Sequence, residues 1–98
     1  MKRIVLMCAA GASTSMLVQR MQAAAKKDGL DCSIEAHPVS QAADFTDADV
    51  ILLGPQVRFE LEAVKQQVSC PVETIDMMAY GTMNGEKVLQ QARQLMGE

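Results

Sequence analysis

The sequence has no long hydrophobic run, no basic cluster, no tryptophan and no Cys-x-x-Cys pair. Each absence removes a class of function. No stretch approaches the roughly 20 apolar residues that span a bilayer. The apolar run after Lys2 and Arg3 is too short for a secretion signal, so the chain is expected in the cytoplasm. The net charge is −3, and Phe45, Phe59 and Tyr80 are the only aromatic residues. A nucleic-acid partner would need cations for the phosphates and rings for the bases, so none is expected. Cys8, Cys32 and Cys70 are odd in number and widely spaced. They fit neither a disulfide framework nor a zinc site and are expected as reduced thiols.

What is present suffices for one folded unit. The 98 residues are 49% apolar, enough for a packed core without staples, and a single domain over 1–98 is expected. Residues 3–8 (RIVLMC) and 49–53 (DVILL) are apolar without alternation, the pattern of strands buried on both faces of a parallel sheet. Residues 32–37 (CSIEAH) alternate and end at Pro38, which predicts an edge strand. Residues 70–75 (CPVETI) form a weaker fourth strand. A helix follows the first strand, with Ser13 as its cap, Met16, Leu17, Met21, Ala24 and Ala25 at helical spacing, and Gly29 past its end. Residues 40–46 allow only a short irregular helix. Val57, Leu61, Val64 and Val68 line one helical face. Residues 76–83 are expected as a loop, and Asn84 as the cap of a last helix carrying Val88, Leu89, Ala92, Leu95 and Met96. This alternation predicts an α/β fold, a four-stranded parallel sheet in the order 2-1-3-4 with helices on both faces. Its crevice should open between the ends of strands 1 and 3.

Cys8 falls at that crevice. A cysteine closing a strand is often only a small buried residue. Here it is followed by Ala9, Ala10, Gly11, Ala12, Ser13, Thr14 and Ser15, a run of small residues leading into a helix N-terminus. Amides in such a turn can converge into a nest for an anion, Gly11 permits a left-handed backbone, and the hydroxyls add donors. The positive helix end favours negative charge at Cys8. A thiolate there can attack phosphorus while the nest holds the phosphate oxygens. The other candidates carry less. Cys32 and Cys70 are not followed by a nest. His37 lies on an alternating strand and reads as a surface histidine rather than a phosphate carrier. Asp49 and Asp76 end strands without an acidic cluster, so no metal site is expected. Met7, Met16 and Met21 read as core.

The segment CAAGASTSMLVQRM from Cys8 resembles the active-site segment of the enzyme IIB component of the lactose/cellobiose/chitobiose class of bacterial phosphotransferase systems. ADVILLGPQV (48–57) resembles that family's third strand with its Gly-Pro-Gln turn, and PVETIDMMAYGTMNGEKVL (71–89) its last strand and helix. The resemblance implies that Cys8 accepts a phosphoryl group from a phosphohistidine on a IIA protein. It would pass the group to a sugar in a membrane-embedded IIC protein, docking transiently at the inner face of the membrane. The implied sugar is cellobiose, chitobiose or another β-glucoside, and no metal or organic cofactor is implied for the IIB protein itself. Two proteins must then meet Cys8 in turn, which requires an accessible face around the loop. Ala9, Ala10, Ala12 and Met16 could supply apolar contacts there, with Gln56 and Tyr80 at the rim.

A similar strand, cysteine loop and helix occurs in low-molecular-weight tyrosine phosphatases and some arsenate reductases, the alternative reading. They carry an arginine six positions after the cysteine, where this chain has Thr14. No proline follows Asp44, Asp47, Asp49 or Asp76, so the Asp-Pro general acid of the phosphatases is also missing. Without the guanidinium clamp and the acid, a cysteinyl phosphate should hydrolyse slowly, as a carrier requires.

Overall fold

The computed structural model describes residues 1–9 and 12–98, and of residues 12 and 13 the backbone alone. Four strands, β1 (Lys2–Cys8), β2 (Cys32–Pro38), β3 (Val50–Leu53) and β4 (Val72–Thr74), form one sheet in the order β2-β1-β3-β4. All three pairings are parallel. The sequence pattern predicts this order, and the chemistry of β1 and β3 explains it. Ile4 to Met7 and Val50 to Leu53 are fully buried, so both strands need cover on both faces and take the centre.

Side-chain alternation divides the core into two layers. Ile4, Leu6, Ile34, Val50 and Leu52 face one way. They meet helices α1 (Ala12–Lys27), α3 (Met77–Gly81) and α4 (Gly85–Leu95) through Leu17, Met21, Ala79, Val88 and Leu89. Val5, Met7, Ile51, Leu53 and Val72 face the other way. There they meet Ala42 of a 3-10 helix (Val39–Asp44), Phe45, Val57 of a second 3-10 helix (Pro55–Glu60), and Val64 of α2 (Leu61–Gln67). Each fully buried Leu or Ile contributes about 1.5–3 kcal/mol of transfer free energy.

The helix ends follow local chemistry. Gly29 takes φ +66° just past α1, the left-handed conformation that glycine adopts without Cβ strain. Asn84 Oδ1 accepts from the Lys87 amide at 3.1 Å and caps α4 as the sequence predicts. Gly85 allows α4 to touch α1, because a Cβ there would lie 2.5 Å from the Arg20 carbonyl carbon. On the edge strand, Gln22 of α1 donates its side-chain amide to the Ile34 carbonyl at 3.0 Å.

Three expectations change. Residues 77–81 are the short helix α3 rather than loop, because Asp76 Oδ2 accepts from the Ala79 amide at 3.0 Å and starts a turn. Helix α1 begins at Ala12, so Ser13 lies inside its first turn instead of capping it. Met16 is 53% exposed whereas Met7 and Met21 are fully buried. The buried stripe of α1 runs through Thr14, Leu17, Val18, Met21, Ala24 and Ala25, and about 100° per residue carries Met16 off it.

Candidate active site around Cys8

Because the strands are parallel, their C-terminal ends share one edge. Cys8 is the last residue of β1 and α1 begins four residues later. The first-turn amides of a helix lack carbonyl partners within it, and its N-terminal end carries partial positive charge. Strand and helix thus bring the thiol and a positive helix end within one short connection. Ala10 and Gly11, two of the expected nest residues, lie outside the described residues, as do the side chains of Ala12 and Ser13. Ala9 and Ser15 are exposed.

Thr14 is the informative member of the run. Its side chain is fully buried, and Oγ1 has no hydrogen-bond partner among the described residues. An unsatisfied buried hydroxyl costs about 1–3 kcal/mol. A buried hydroxyl with no partner among the described residues thus sits in the first turn of α1, six residues after the thiol.

Cys8 itself is only 3% exposed, which corrects the expectation of an open face at the thiol. Its neighbours explain the cover. Sγ lies 4.0 Å from the His37 carbonyl of β2, a weak S–H···O contact. On the other side Gly54 donates its amide to the Met7 carbonyl at 2.8 Å. A Cβ on Gly54 would stand 3.9 Å from Cys8 Cβ and 3.2 Å from Gln56 Oε1. The turn after β3 thus closes against Cys8, and it brings the exposed Gln56 to the same place. The sequence pattern places the Gly54-Pro55-Gln56 turn beside the Cys8 loop at the switch point of the sheet, and the structure has it there.

Tyr80 is not at an open rim. It is 9% exposed and packs in the core layer of α1, α3 and α4. Its place on α3, a helix the sequence did not announce, turns it inward.

A further group of polar side chains lies on the other face of the sheet, around Phe45. His37 Nε2 pairs with Glu35 Oε1 at 2.7 Å, and its ring lies 4.2 Å from that of Phe45. Arg3 binds Glu35 at 3.0 and 3.2 Å, Asp47 at 2.7 Å to each oxygen, and stands over Phe45 at 5.1 Å. The hydrogen bonds from Arg3, then that from His37, hold the Glu35 carboxyl below the usual range. This set pins the 39–49 crossover to β1 and β2 and is structural. Burial pushes the thiols of Cys32 and Cys70 up, and carboxylates nearby push the same way. Both stay protonated and are poor nucleophiles near neutral pH.

Comparison with known proteins agrees with this layout. The model of the family "PTS system, Lactose/Cellobiose specific IIB subunit" matches residues 3–91. The oligo-beta-mannoside-specific EIIB component of Bacillus subtilis (strain 168) is 43% identical over 100 aligned positions, covering 98% of this chain and 97% of that one. The galactose-specific EIIB component of Lactococcus lactis subsp. cremoris (strain MG1363) is 41% identical over 104 positions, covering 97% and 96%. The solution structure of the cellobiose-specific IIB component of Borrelia burgdorferi superposes with a TM-score of 0.81 at 42% identity, over 98% of this chain and 92% of that one. A cysteine closing β1, the helix start beyond it, the glycine turn after β3 and these full-length matches lead to one conclusion: the chain belongs to the lactose/cellobiose-specific IIB family of the bacterial sugar phosphotransferase system.

Proposed function

We propose that Cys8 is the phosphoryl carrier of this chain, charged by a phosphohistidine of a IIA protein and discharged onto a sugar held by a membrane IIC protein. IIB components of these systems are phosphotransferases that work with IIA and IIC partners. In the charging step the P–N bond of phosphohistidine breaks and an S–P bond forms at Cys8. The thiol proton leaves the sulfur, and the imidazole nitrogen regains one. In the second step a sugar hydroxyl attacks phosphorus, the S–P bond breaks, and the hydroxyl proton returns to the thiol in net balance.

The observation that carries this reading is the buried hydroxyl of Thr14, without a partner among the described residues, in the first turn of the helix that follows Cys8. A phosphoryl group on Sγ has oxygens that such a donor can satisfy, alongside first-turn amides. An anion nest, expected from the sequence of residues 9 to 15, would hold the phosphate without a guanidinium. The cover over the thiol, Gly54 and its turn on one side and β2 on the other, excludes the water that would hydrolyse a stored phosphate. The same cover must part when a partner docks.

The relatives bear names for different sugars at 41–43% identity. Two of them name β-linked glycosides, oligo-β-mannoside and cellobiose, which supports a β-linked disaccharide as the cargo. No described helix is long and apolar enough to cross a membrane. We place the chain in the cytoplasm, meeting IIC at the inner membrane face.

Intact-mass spectrometry tests the reading after incubation with phosphorylated IIA. One added phosphate, mapping to residue 8 and absent from a folded Cys8→Ala variant, is expected. Phosphate at another residue, or steady release of inorganic phosphate, overturns it.

A further inference from the structure

Asn84 is the only asparagine in the sequence, and Gly85 follows it. Asparagine is thermally labile, because the backbone nitrogen of the next residue can attack its side-chain carbonyl carbon. A side chain on that next residue hinders the attack, and glycine has none. Packing fixes this glycine: a Cβ at 85 would lie 2.5 Å from the Arg20 carbonyl carbon and 2.7 Å from the Met21 nitrogen. The start of α4 calls for a short side-chain acceptor at 84, which Asn84 supplies to the Lys87 amide. Cap and close contact together put an Asn-Gly pair in the turn between α3 and α4, with Asn84 exposed to solvent.

We propose that Asn84 is a site of spontaneous deamidation, which the cap of α4 slows and local opening of that helix end permits. The Gly85 nitrogen bonds to Asn84 Cγ, the Cγ–Nδ2 bond breaks, and ammonia leaves with the proton of the Gly85 amide. The product is a five-membered succinimide. Water then adds to one of its two carbonyls and reopens the ring. One opening gives aspartate, and the other gives isoaspartate, in which the main chain runs through the former side chain. Water is the only co-reactant, and the inference is independent of the chemistry at Cys8.

The folded geometry sets the pace. Ring closure requires the 84–85 peptide to rotate until its nitrogen faces Cγ. Two hydrogen bonds oppose this: the Lys87 amide holds Asn84 Oδ1 at 3.1 Å, and the Val88 amide holds the Asn84 carbonyl at 3.1 Å. Both lie at a helix end, and helix ends open without unfolding the whole chain. Met83, just before the cap, has φ +52°, a left-handed conformation unfavourable for a residue with a Cβ, and opening relieves it.

The two products differ in effect. Aspartate keeps a capping oxygen and adds negative charge at the positive end of α4. Isoaspartate lengthens the main chain by one carbon between 84 and 85. Gly85 then cannot keep its place against Arg20 while the amide of residue 84 stays on the Ala79 carbonyl. The seat of Val88 and Leu89 in the layer they share with α1 loosens with it.

The test is peptide mapping by mass spectrometry after incubation of the folded chain in mildly alkaline buffer, beside a sample in guanidinium chloride. The mass gain of amide-to-acid conversion is expected at residue 84, with aspartate and isoaspartate both present. The folded chain should convert between about tenfold and a thousandfold more slowly than the denatured one. Asn84→Ser keeps a capping oxygen without an amide and should show no gain in that peptide. Asn84→Asp should melt like the parent chain, and the isoaspartate fraction should melt below it. Equal rates in the two samples overturn the role of the cap. A folded rate lower by more than about a thousandfold leaves conversion to global unfolding and overturns the site, as does a gain that maps only to glutamine. An isoaspartate fraction that melts with the parent chain overturns the packing consequence.

Discussion

The Gly54 amide and the Met7 carbonyl are joined at 2.8 Å, one residue before Cys8. This bond places the turn after β3 against the thiol. Gly54 has φ −61° and ψ 151°, a conformation open to any L-residue, and a Cβ there would press only on the flexible end of Gln56. Gly54→Ala should therefore cost no more than about 1 kcal/mol in urea denaturation. It should displace the Gln56 side chain and slow Cys8 phosphorylation several-fold. A rate equal to that of the parent chain would show that the turn is only a connector.

Thr14→Val separates stability from chemistry. The substitution keeps the shape and removes an orphaned hydroxyl, so the unphosphorylated fold should gain about 1–2 kcal/mol by thermal or urea denaturation. If Oγ1 donates to the phosphoryl group, transfer should slow by roughly a hundredfold. Opposite signs in the two measurements are expected. A destabilised valine variant would mean that the hydroxyl already has a use in the resting protein.

Glu35 links stability to pH. Arg3 and His37 hold its carboxyl below the ordinary value of 4.5, so the folded state binds the proton less readily than the unfolded chain. The stabilisation is complete above the ordinary value and is lost as pH falls through the depressed one. Glu35→Gln should lower the urea midpoint at pH 7, and the gap between variant and parent should shrink toward pH 3. A gap of equal size at both pH values would contradict the charge-based account. The group is part-exposed, so the effect should be modest.

Gly85→Ala is the counterpart of Gly54→Ala. Its Cβ would fall 2.5–2.7 Å from backbone atoms of Arg20 and Met21, and a helix backbone cannot move aside as a side-chain end can. Loss of about 3 kcal/mol is expected, with the midpoint of urea unfolding as the measure. Transfer per folded molecule should change little, because the contact lies away from Cys8.

Periodicity carried most of the architecture. The unbroken apolar runs of β1 and β3, the alternation of β2 and the Asn84 cap each have one physical solution, and the structure adopts it. Helix α3 escaped because five residues are too few to show a period, and Tyr80-Gly81 resembles a turn by composition. Tyr80 then faced inward, opposite to its expected place at the rim. Met16 escaped because it adjoins Leu17, and an apolar spacing alone does not tell on which side of Leu17 the buried stripe continues; it continues to Val18. In the proposed site, the small residues after Cys8 are what single it out in the sequence. Its near-complete burial was not legible, because the cover comes from β2 and from Gly54, residues distant in the chain.

The bond from Gln22 to the Ile34 carbonyl has a consequence for behaviour in a crowded cell. Strand β2 is a free border of the sheet, and a bare border invites other chains to add strands and grow into fibrils. Here one carbonyl of that border is already occupied, and Pro38 at its end has no N–H to offer. The border is interrupted twice within seven residues, which makes β2 a poor template for an added strand.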